Sequence, residues 1–464
     1  MLVVLTNHPH GQEVPVLTIA SAVDRIKSEL KELVPERMLQ RLVNDWGQSH
    51  RDRLLPPAVT TELFLQQILH GNTAITHLRH LSGRDFTASA YCQARARLPV
   101  EFFRRLSRAV VERCRHDEPP RLWRGLRLVV IDGTSFSMPD TEELRATFGQ
   151  PTGQADGCGF PVAHLLAVVE ADTGYLLEAS VAPVYTHDSK AMPSADVVLQ
   201  PGDLVLGDRA FGSFAHLARL RQQGMHALFR AHQRQIVSFR AHRRHATPEM
   251  TDAQARGLPR SRWLKRLGRH DQIVEYLKPA CRPDWMSAED YAALPEVLRV
   301  REVRFRTGLP GCRVRTITIV TTLLDAHRYP AKALARLYRQ RWQIEVDLRH
   351  LKQTLKMDVL HCQTVLGVMK ELLMYVTVYN LVRRVMVQAG RRQGVEPRQI
   401  SFVDVLRWLR NARPGQAMPD FLVLKERPLR FEPRVRKRRP KQYPLMTRPR
   451  DKLKEDLRRT RVAA

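Results

Sequence analysis

Three acidic residues stand at positions in the sequence where a carboxylate would be chemically useful. Asp132 ends the apolar run "LRLVVID", Asp208 ends the run "DLVLGD", and Glu345 lies among arginines in "YRQRWQIEVDLRHLK". Three carboxylates beside a phosphodiester can hold two Mg²⁺ ions: one activates the attacking water or 3′-hydroxyl, and the other stabilises the leaving oxygen. Mg²⁺ takes oxygen ligands and keeps several waters, so a few carboxylates suffice.

Each aspartate taken singly has an ordinary structural explanation, since aspartate also forms turns and caps helices. Two features favour a shared site. Acidic side chains at the carboxyl ends of buried strands converge on the crevice where ligands bind. The neighbouring Gly133 and Gly207 also allow a ligand to approach the backbone closely. We therefore predict Asp132, Asp208 and Glu345 as catalytic and metal-binding residues, with Mg²⁺ as the metal and Mn²⁺ as a substitute.

The stretch around Glu345 is predicted to be one continuous helix with its polar residues beside the buried face. At about 100° per residue, five polar side chains share a band of roughly 80°, and the leucine-rich stripe lies directly beside it. Asp347 points elsewhere, which makes Glu345 the better third ligand. The five residues of the band are Tyr338, Arg341, Glu345, Arg349 and Lys352.

The cations of this band are predicted to contact DNA rather than Glu345. Arg341 offers a planar fork and Lys352 a point charge, and both suit phosphates that flank a scissile bond. Tyr338 could donate a hydrogen bond to a phosphate oxygen, and Trp342 could pack on a sugar or base. A Trp342 in the core or at its rim is an equal alternative. The predicted DNA-binding set is Tyr338, Arg341, Trp342, Arg349 and Lys352.

Composition points to a large protein with a polyanionic partner. The chain has 464 residues and a formal net charge of +29, with 43% hydrophobic residues. That length predicts two to four domains, and the charge favours nucleic acid over an anionic membrane surface. The most apolar run, residues 372–382, is well short of the roughly 20 residues that a membrane span needs. Six scattered cysteines without a C-x-x-C pair predict a reducing cytoplasm, with neither a disulfide framework nor a zinc site.

Periodicity divides the chain into five regions. Residues 1–120 are predicted to be a helical DNA-binding domain, with Arg95 and Arg97 on a DNA-facing helix; a plain helical bundle is an equal alternative. Residues 121–231 predict strand, strand, strand, helix, strand, helix, strand: a meander followed by parallel strands. Residues 232–324 predict a β-rich insertion, and 325–390 return to the α/β core. Residues 391–464 form a helical region and a basic tail.

The end of the tail is strongly basic. From residue 427 to 464 there are 15 Lys or Arg and four Asp or Glu, a net charge of 15 − 4 = +11. This composition predicts an extended segment that binds phosphate without sequence preference, or alternatively a solvated segment without a fixed partner.

At these residues the sequence resembles the IS4-type transposases, a DDE family with a ribonuclease-H-like catalytic domain. The family's helix signature of Tyr, Arg, Glu and Lys is complete in Tyr338, Arg341, Glu345 and Lys352. The segments "DGTSF" and "GDRAFGS" resemble those that carry the family's two catalytic aspartates. The resemblance covers roughly residues 121–385, and the β-rich insertion lies where the family carries one. It implies a ribonuclease-H-like mixed sheet flanked by helices.

The resemblance also implies an activity. Such enzymes cut at the terminal inverted repeats of an insertion sequence and join the freed 3′-OH to target double-stranded DNA, which requires at least a dimer on the paired ends. It implies a bacterial, cytoplasmic and nucleoid-associated protein with no membrane partner. Trp263 and Trp285 are candidates for the tryptophan that some members use on a flipped base, although neither lies in a matching motif. The alternatives are a nuclease that cleaves without joining and a transposase-derived DNA-binding protein without catalysis.

Overall fold

The computed structural model describes residues 54–151, 155, 157–232, 235, 237–242, 259–307, 315–412, 416–424 and 448–462. Its central feature is a mixed sheet of nine strands in the order β3-β2-β1-β4-β5-β9-β8-β7-β6. The strands are β1 (Arg127–Ser137), β2 (Val162–Glu170), β3 (Leu176–Pro183), β4 (Asp203–Gly207), β5 (His226–Arg230), β6 (Arg260–Gly268), β7 (Asp271–Leu277), β8 (Val297–Thr307) and β9 (Arg315–Thr321).

Helices precede, interrupt and follow the sheet. They are α1 (Pro57–Leu69), α2 (Ile75–Ser82), α3 (Ala88–Arg97), α4 (Val100–Asp117), α5 (Glu142–Phe148), α6 (Asp188–Ala191), α7 (Phe214–Gln222), α8 (Ala288–Ala293), α9 (Ala331–Gln340), α10 (Gln343–Arg349), α11 (Val365–Gln393), α12 (Phe402–Asn411) and α13 (Arg450–Val462). Short 3₁₀ turns at 192–197, 209–211 and 397–399 and a π-helical turn at 350–354 complete the described elements.

The first five strands have the predicted topology. β1, β2 and β3 form an antiparallel meander, and β4 and β5 lie parallel to β1. β4 is buried at every position, as expected for a parallel strand that is covered on both faces. The predicted ribonuclease-H-like mixed sheet flanked by helices is confirmed.

The β-rich insertion is joined directly to this sheet. β9 pairs antiparallel with β5, with Leu228 opposite Thr321, and β8, β7 and β6 follow as a continuous antiparallel extension. A buried ion pair fixes the extension to the region before α9. Arg301 on β8 donates to both carboxylate oxygens of Asp271, and its Nη1 donates to the carbonyl of Tyr329.

The long helix α11 packs against both the sheet and the first helices. By length and composition it would pass for a membrane span, yet 78% of its most apolar stretch is buried within the protein. Asn380 on α11 forms two hydrogen bonds with the backbone of Leu176 on β3. α1 and α4 contact the other parts of its surface. α11 is therefore the helix around which the described regions assemble.

Arg95 does not face outward from α3, contrary to the expectation for a DNA-facing helix. Its guanidinium lies 3.9 Å from the ring centre of Phe64, and it donates to Gln67 and to Sγ of Cys362. Arg97 is exposed. The part of the predicted helical domain at residues 1–53 lies outside the described residues.

The basic C-terminal region is not extended throughout. Residues 450–462 form α13, and Arg450 at its start pairs with Asp140 and lies over the ring of Phe160. The most basic part of the predicted tail, residues 425–447, lies outside the described residues.

Candidate active site

The two candidate aspartates extend the same parallel strand pair. The ladder between β1 and β4 ends with Val130 opposite Leu206, an offset of 206 − 130 = 76 residues. Asp132 and Asp208 have the same offset, 208 − 132 = 76, so both lie two residues beyond the last paired position. The sequence predicted that β1 ends at Asp132, but the strand does not end there. It continues to Ser137 in antiparallel pairing with β2, and only its contact with β4 ends there.

Asp132 and Asp208 make different local contacts. Oδ1 of Asp132 accepts a hydrogen bond from the backbone N–H of Gly133 at 3.0 Å. Oδ1 of Asp208 accepts from the N–H of Ala210 at 2.6 Å and so caps the 3₁₀ turn at 209–211. Asp208 therefore does act as a helix cap, the ordinary structural role of an aspartate at such a position. It does not compete with a catalytic role, because a cap occupies one oxygen of the carboxylate.

The sequence predicted that the signature stretch is one continuous helix. This prediction is wrong, because the helical hydrogen-bond pattern changes twice along the stretch. Between α9 and α10 the N–H groups of Arg341, Trp342, Ile344 and Glu345 each bond to the carbonyl three residues before them. The turn at 350–354 is instead π-helical, with the N–H of Leu355 bonded to the carbonyl of His350. The first segment winds more tightly than an α-helix and the second more loosely, a pattern that recurs at functional sites.

Arg341 stands at the tight segment and connects the candidate carboxylates. Its Nη1 lies 3.0 Å from Oδ2 of Asp132, and its Nη2 lies 3.3 Å from Oε1 of Glu345. Burial acts to lower the pKa of Arg341, but Tyr338 and the charges of Asp132, Glu345 and Asp208 raise it above its ordinary value. The guanidinium thus lies in the combined field of all three carboxylates.

Lys352 reaches the same face of β1 as Arg341. Its Nζ donates to Oγ1 of Thr134 at 3.2 Å. Thr134 is two residues beyond Asp132, and in a strand that spacing places both side chains on one face. The π-helical turn that carries Lys352 lies over this face, where the lysine is half-buried.

The remaining predicted DNA contacts differ in exposure. Tyr338 is buried, with 2% of its surface exposed, and burial raises its pKa to about 12. It therefore supports Arg341 from within the protein and does not face solvent. Trp342 is 40% exposed and its ring centre lies 5.9 Å from Cζ of Arg341. Arg349 is exposed on α10.

One cation at this edge was not predicted from the sequence. β4 and β5 pair with Gly207 opposite Phe229, an offset of 22, and Asp208 and Arg230 share it. Arg230, the last residue of β5, therefore lies level with Asp208 at this edge of the parallel strands, and its charge acts on Tyr338. The signal was present, since Arg230 ends the apolar run "HALFR".

The candidate carboxylates suit a divalent cation by chemical type. In the structure, Asp132 and Glu345 bond to the guanidinium of Arg341. Aspartate and glutamate oxygens are the ligands that Mg²⁺ and Mn²⁺ prefer. Across the described residues, no group of three His, Cys, Asp or Glu side chains is gathered closely enough to hold an ion. Arg341 supplies the positive charge between Asp132 and Glu345 instead. Its Nε–H is buried without a hydrogen-bond partner in the described part of the chain.

Comparison with known proteins assigns the family. A family model described as "Transposase DDE domain" matches residues 123–381, more than half of the chain. The chain belongs to the DDE transposases. This transposase is 28% identical over 386 residues to the transposase InsG for insertion sequence element IS4 of Escherichia coli K12. The match covers 78% of this chain and 79% of that protein. Together with the family model, it supports an IS4-family transposase.

Two further similarities are more limited. The putative transposase InsZ of Escherichia coli K12 is 33% identical over 142 residues, which cover 29% of this transposase and 46% of InsZ. A cryo-EM structure of the piggyBac transposase synaptic complex with hairpin DNA covers 84% of this chain and 79% of that chain. It is 9% identical and has a TM-score of 0.39, which is too low to establish a common fold.

Family membership confirms the predicted type of enzyme. The chain is an insertion-sequence transposase of the DDE type, an enzyme that acts on DNA and depends on a divalent metal. The segment matched by the family model contains Asp132, Asp208, Glu345 and the four residues of the helix signature.

Proposed function

We propose that Asp132, Asp208 and Glu345 are the catalytic carboxylates of this transposase and hold its Mg²⁺ ions, with Mn²⁺ as a substitute. One observation carries the proposal: Asp132 on β1 and Glu345 on α10 both bond to the guanidinium of Arg341, and the charge of Asp208 at the end of β4 acts on the same group. Like charges do not gather at the carboxyl ends of parallel strands without a cation to stabilise them. Metal ions bound there would activate the attacking oxygen and stabilise the leaving oxygen.

Arg341 is proposed to exchange a carboxylate partner for a phosphate when DNA binds. Carboxylate and phosphate compete for the same planar fork of N–H donors. The buried Nε–H of Arg341 has no partner among the described residues, and an unsatisfied buried donor favours an incoming acceptor. Tyr338 orients this guanidinium from below, and Lys352 meets a neighbouring phosphate.

The exposed members of the set are proposed to contact the DNA directly. Trp342 presents 40% of its surface at the junction of α9 and α10, beside Arg341. A ring in that place can pack against a sugar or base. Arg349, exposed on α10, adds a phosphate contact on the same side as Glu345.

The proposed reaction is cleavage at the terminal inverted repeats, followed by transfer of the 3′-OH into target double-stranded DNA by a dimer on the paired ends. Residues 121–231 and 325–390 form the catalytic core, which 232–324 extend as an insertion. Residues 1–120 serve as a helical DNA-binding domain, and 391–464 as a basic C-terminal region. Such a protein works on the bacterial nucleoid in the cytoplasm, without a membrane partner.

The proposal is tested with labelled element-end DNA, a target plasmid and Mg²⁺. Asp132→Asn and Glu345→Gln keep the side-chain shape and remove the charge. We expect cleavage to fall about 10³-fold, because a metal ligand is worth several kcal/mol and each 1.36 kcal/mol is tenfold in rate. Asp358→Asn is the matched control, since Asp358 is exposed close to Lys352 in the sequence.

The outcomes separate the candidate activities. Full cleavage by Asp132→Asn would mean that the three-carboxylate site is wrong. Cleaved ends without joined product in the wild-type protein would favour a nuclease. DNA binding with no cleavage, whichever divalent cation is added, would favour a DNA-binding protein without catalysis.

A further inference from the structure

A groove with a cavity volume of about 610 Å³ lies between α9 and the ends of β7 and β8. One wall is the face of α9 that carries Lys332, Arg336 and Arg339, and the turn between β6 and β7 adds Arg269. All four cations are exposed. Phe305 of β8 contributes an apolar surface to the same groove.

The four cations have no acidic partners within the described residues. The carboxylate in the groove, Asp271, is already held by both arms of the buried Arg301. Among the described residues, Arg339 donates a long hydrogen bond of 3.4 Å to the carbonyl of Arg306. Many other arginines of this protein are paired, such as Arg127 with Asp203 and Arg262 with Glu275. The described lining of the groove therefore carries an excess of positive charge.

Three of the groove's cations follow one face of α9. Positions 332, 336 and 339 are four and three residues apart, so the three side chains lie on one face of the helix. Seven residues at 1.5 Å rise span about 10.5 Å. One strand of duplex DNA carries a phosphate about every 3.4 Å along the axis, so three cations can follow about three nucleotides.

α9 links the groove to the candidate active site along the chain. Arg339 lines the groove, and Arg341 follows two residues later. We propose that this groove binds the phosphodiester backbone of the DNA strand that leads away from the reacting phosphate. The inference rests on the proposed function and names a second contact region for the same DNA. An acidic peptide is the competing partner, and the link through α9 to Arg341 favours DNA.

The test is DNA binding by the full chain without a divalent cation, over a range of salt concentrations. The double variant Lys332→Gln and Arg336→Gln should bind element-end DNA more weakly. The slope of log K against log salt should become shallower by about two, one for each phosphate that the variant no longer neutralises. The charge-conserving pair Lys332→Arg and Arg336→Lys should restore the wild-type slope.

Matched controls isolate the groove. Arg221→Gln with Arg282→Gln removes the same charge from exposed positions that do not line the groove, and should leave the slope unchanged. Urea unfolding shows whether each variant is folded. An unchanged slope in the folded Lys332 and Arg336 variant would overturn the inference. An equal change in the Arg221 and Arg282 control would also overturn it, because the effect would then be one of general charge.

Binding of polyglutamate distinguishes an acidic peptide from DNA as the partner of the groove. Loss of polyglutamate binding with DNA binding intact would assign the groove to an acidic peptide. Since no divalent cation is present, the result does not depend on whether Asp132, Asp208 and Glu345 are catalytic. Failure of the groove and failure of the proposed active site are therefore distinguishable.

Discussion

Arg341 donates a hydrogen bond to Asp132 across 3.0 Å, although 209 positions separate them in the chain. The same side chain bonds to Glu345 one helical turn away. Arg341 is 7% exposed, whereas the side chain of Glu345 is 53% exposed. The buried guanidinium of Arg341 thus bonds both to Asp132 and to the more exposed Glu345. The distance between the two carboxylates therefore depends on the width of the guanidinium.

Arg341→Lys should slow DNA cleavage while the charge is kept. An ammonium group cannot bond to two carboxylates in one plane. Losing a hydrogen bond to a charged group costs about 1.5–3 kcal/mol, which corresponds to roughly 10- to 150-fold in rate. Single-turnover cleavage of labelled element-end DNA measures the effect, with Arg282→Lys at an exposed position of the insertion as the control. A rate within twofold of the wild type would show that the fork is not needed.

Substitutions at Lys352 and at Thr134 should change DNA affinity and its salt dependence in different ways. Lys352→Met removes a charge, so DNA affinity should fall and the salt slope should become shallower by about one. Thr134→Val removes the oxygen that accepts from Nζ at 3.2 Å but leaves the charge in place. It should lower affinity less and leave the slope unchanged. Equal slopes in the wild type and Lys352→Met would exclude a phosphate contact.

The ion pair between Arg301 and Asp271 should dominate the stability of the extended sheet. The side chain of Arg301 is 0% exposed, and its bonds to Asp271 measure 2.7 and 2.5 Å. Arg301→Met should lower the free energy of unfolding by about 3–5 kcal/mol, because it leaves a buried carboxylate unpaired. Adding Asp271→Leu should recover part of that loss. Urea unfolding of both single variants and the double variant measures the coupling.

His350 should make the protein less stable in mild acid. Burial lowers its pKa to about 4, and Arg383 and Arg349 act in the same direction. The unfolded side chain titrates near pH 6.5, so it binds a proton more readily than the folded one between those values. The stabilisation is complete above about pH 6.5 and is lost as the pH falls toward 4. Between pH 7 and pH 5 the loss should be about 2 kcal/mol.

The variant His350→Phe isolates this contribution. The ring of His350 stacks on Phe402 with centres 4.4 Å apart, and a phenyl ring can keep that contact. Urea unfolding at the two pH values should show a smaller difference in the variant. Some dependence should remain, because burial also lowers the pKa of His70 to about 4. An unchanged difference would assign the acid sensitivity to other groups.

The sequence predicted the first five strands and their pairing because short apolar runs with turn signals between them are local information. It also predicted that Asp132 and Asp208 lie at one edge, because strand ends in a parallel sheet share an edge, and the pairing of β1 with β4 agrees with this. It did not predict that β1 continues to Ser137. Pairing with β2 sustains that extension, and pairing between strands cannot be read from one strand.

The departure from the predicted helix has a physical cause. A constant turn angle predicted one polar band from Tyr338 to Lys352, but the backbone tightens after Gln340 and loosens after Arg349, and Tyr338 is buried. The helix around these changes also contacts β1, which no local pattern records. Arg95 shows the same limit, since the partners that turn it inward include Cys362, 267 positions away. The roles assigned to these residues stay predictions.

The pairing of β5 with β9 has a consequence for biosynthesis. β5 ends at Arg230 and β9 begins at Arg315, so 315 − 230 = 85 residues of translation separate the two partners. At 5–20 residues per second, the outer edge of β5 stays open for roughly 4–17 s while the ribosome makes the insertion. An unpaired edge strand invites pairing with other chains. Nascent copies of this transposase should therefore be vulnerable to aggregation during that interval, and chaperones that act on growing chains should raise the yield of active enzyme.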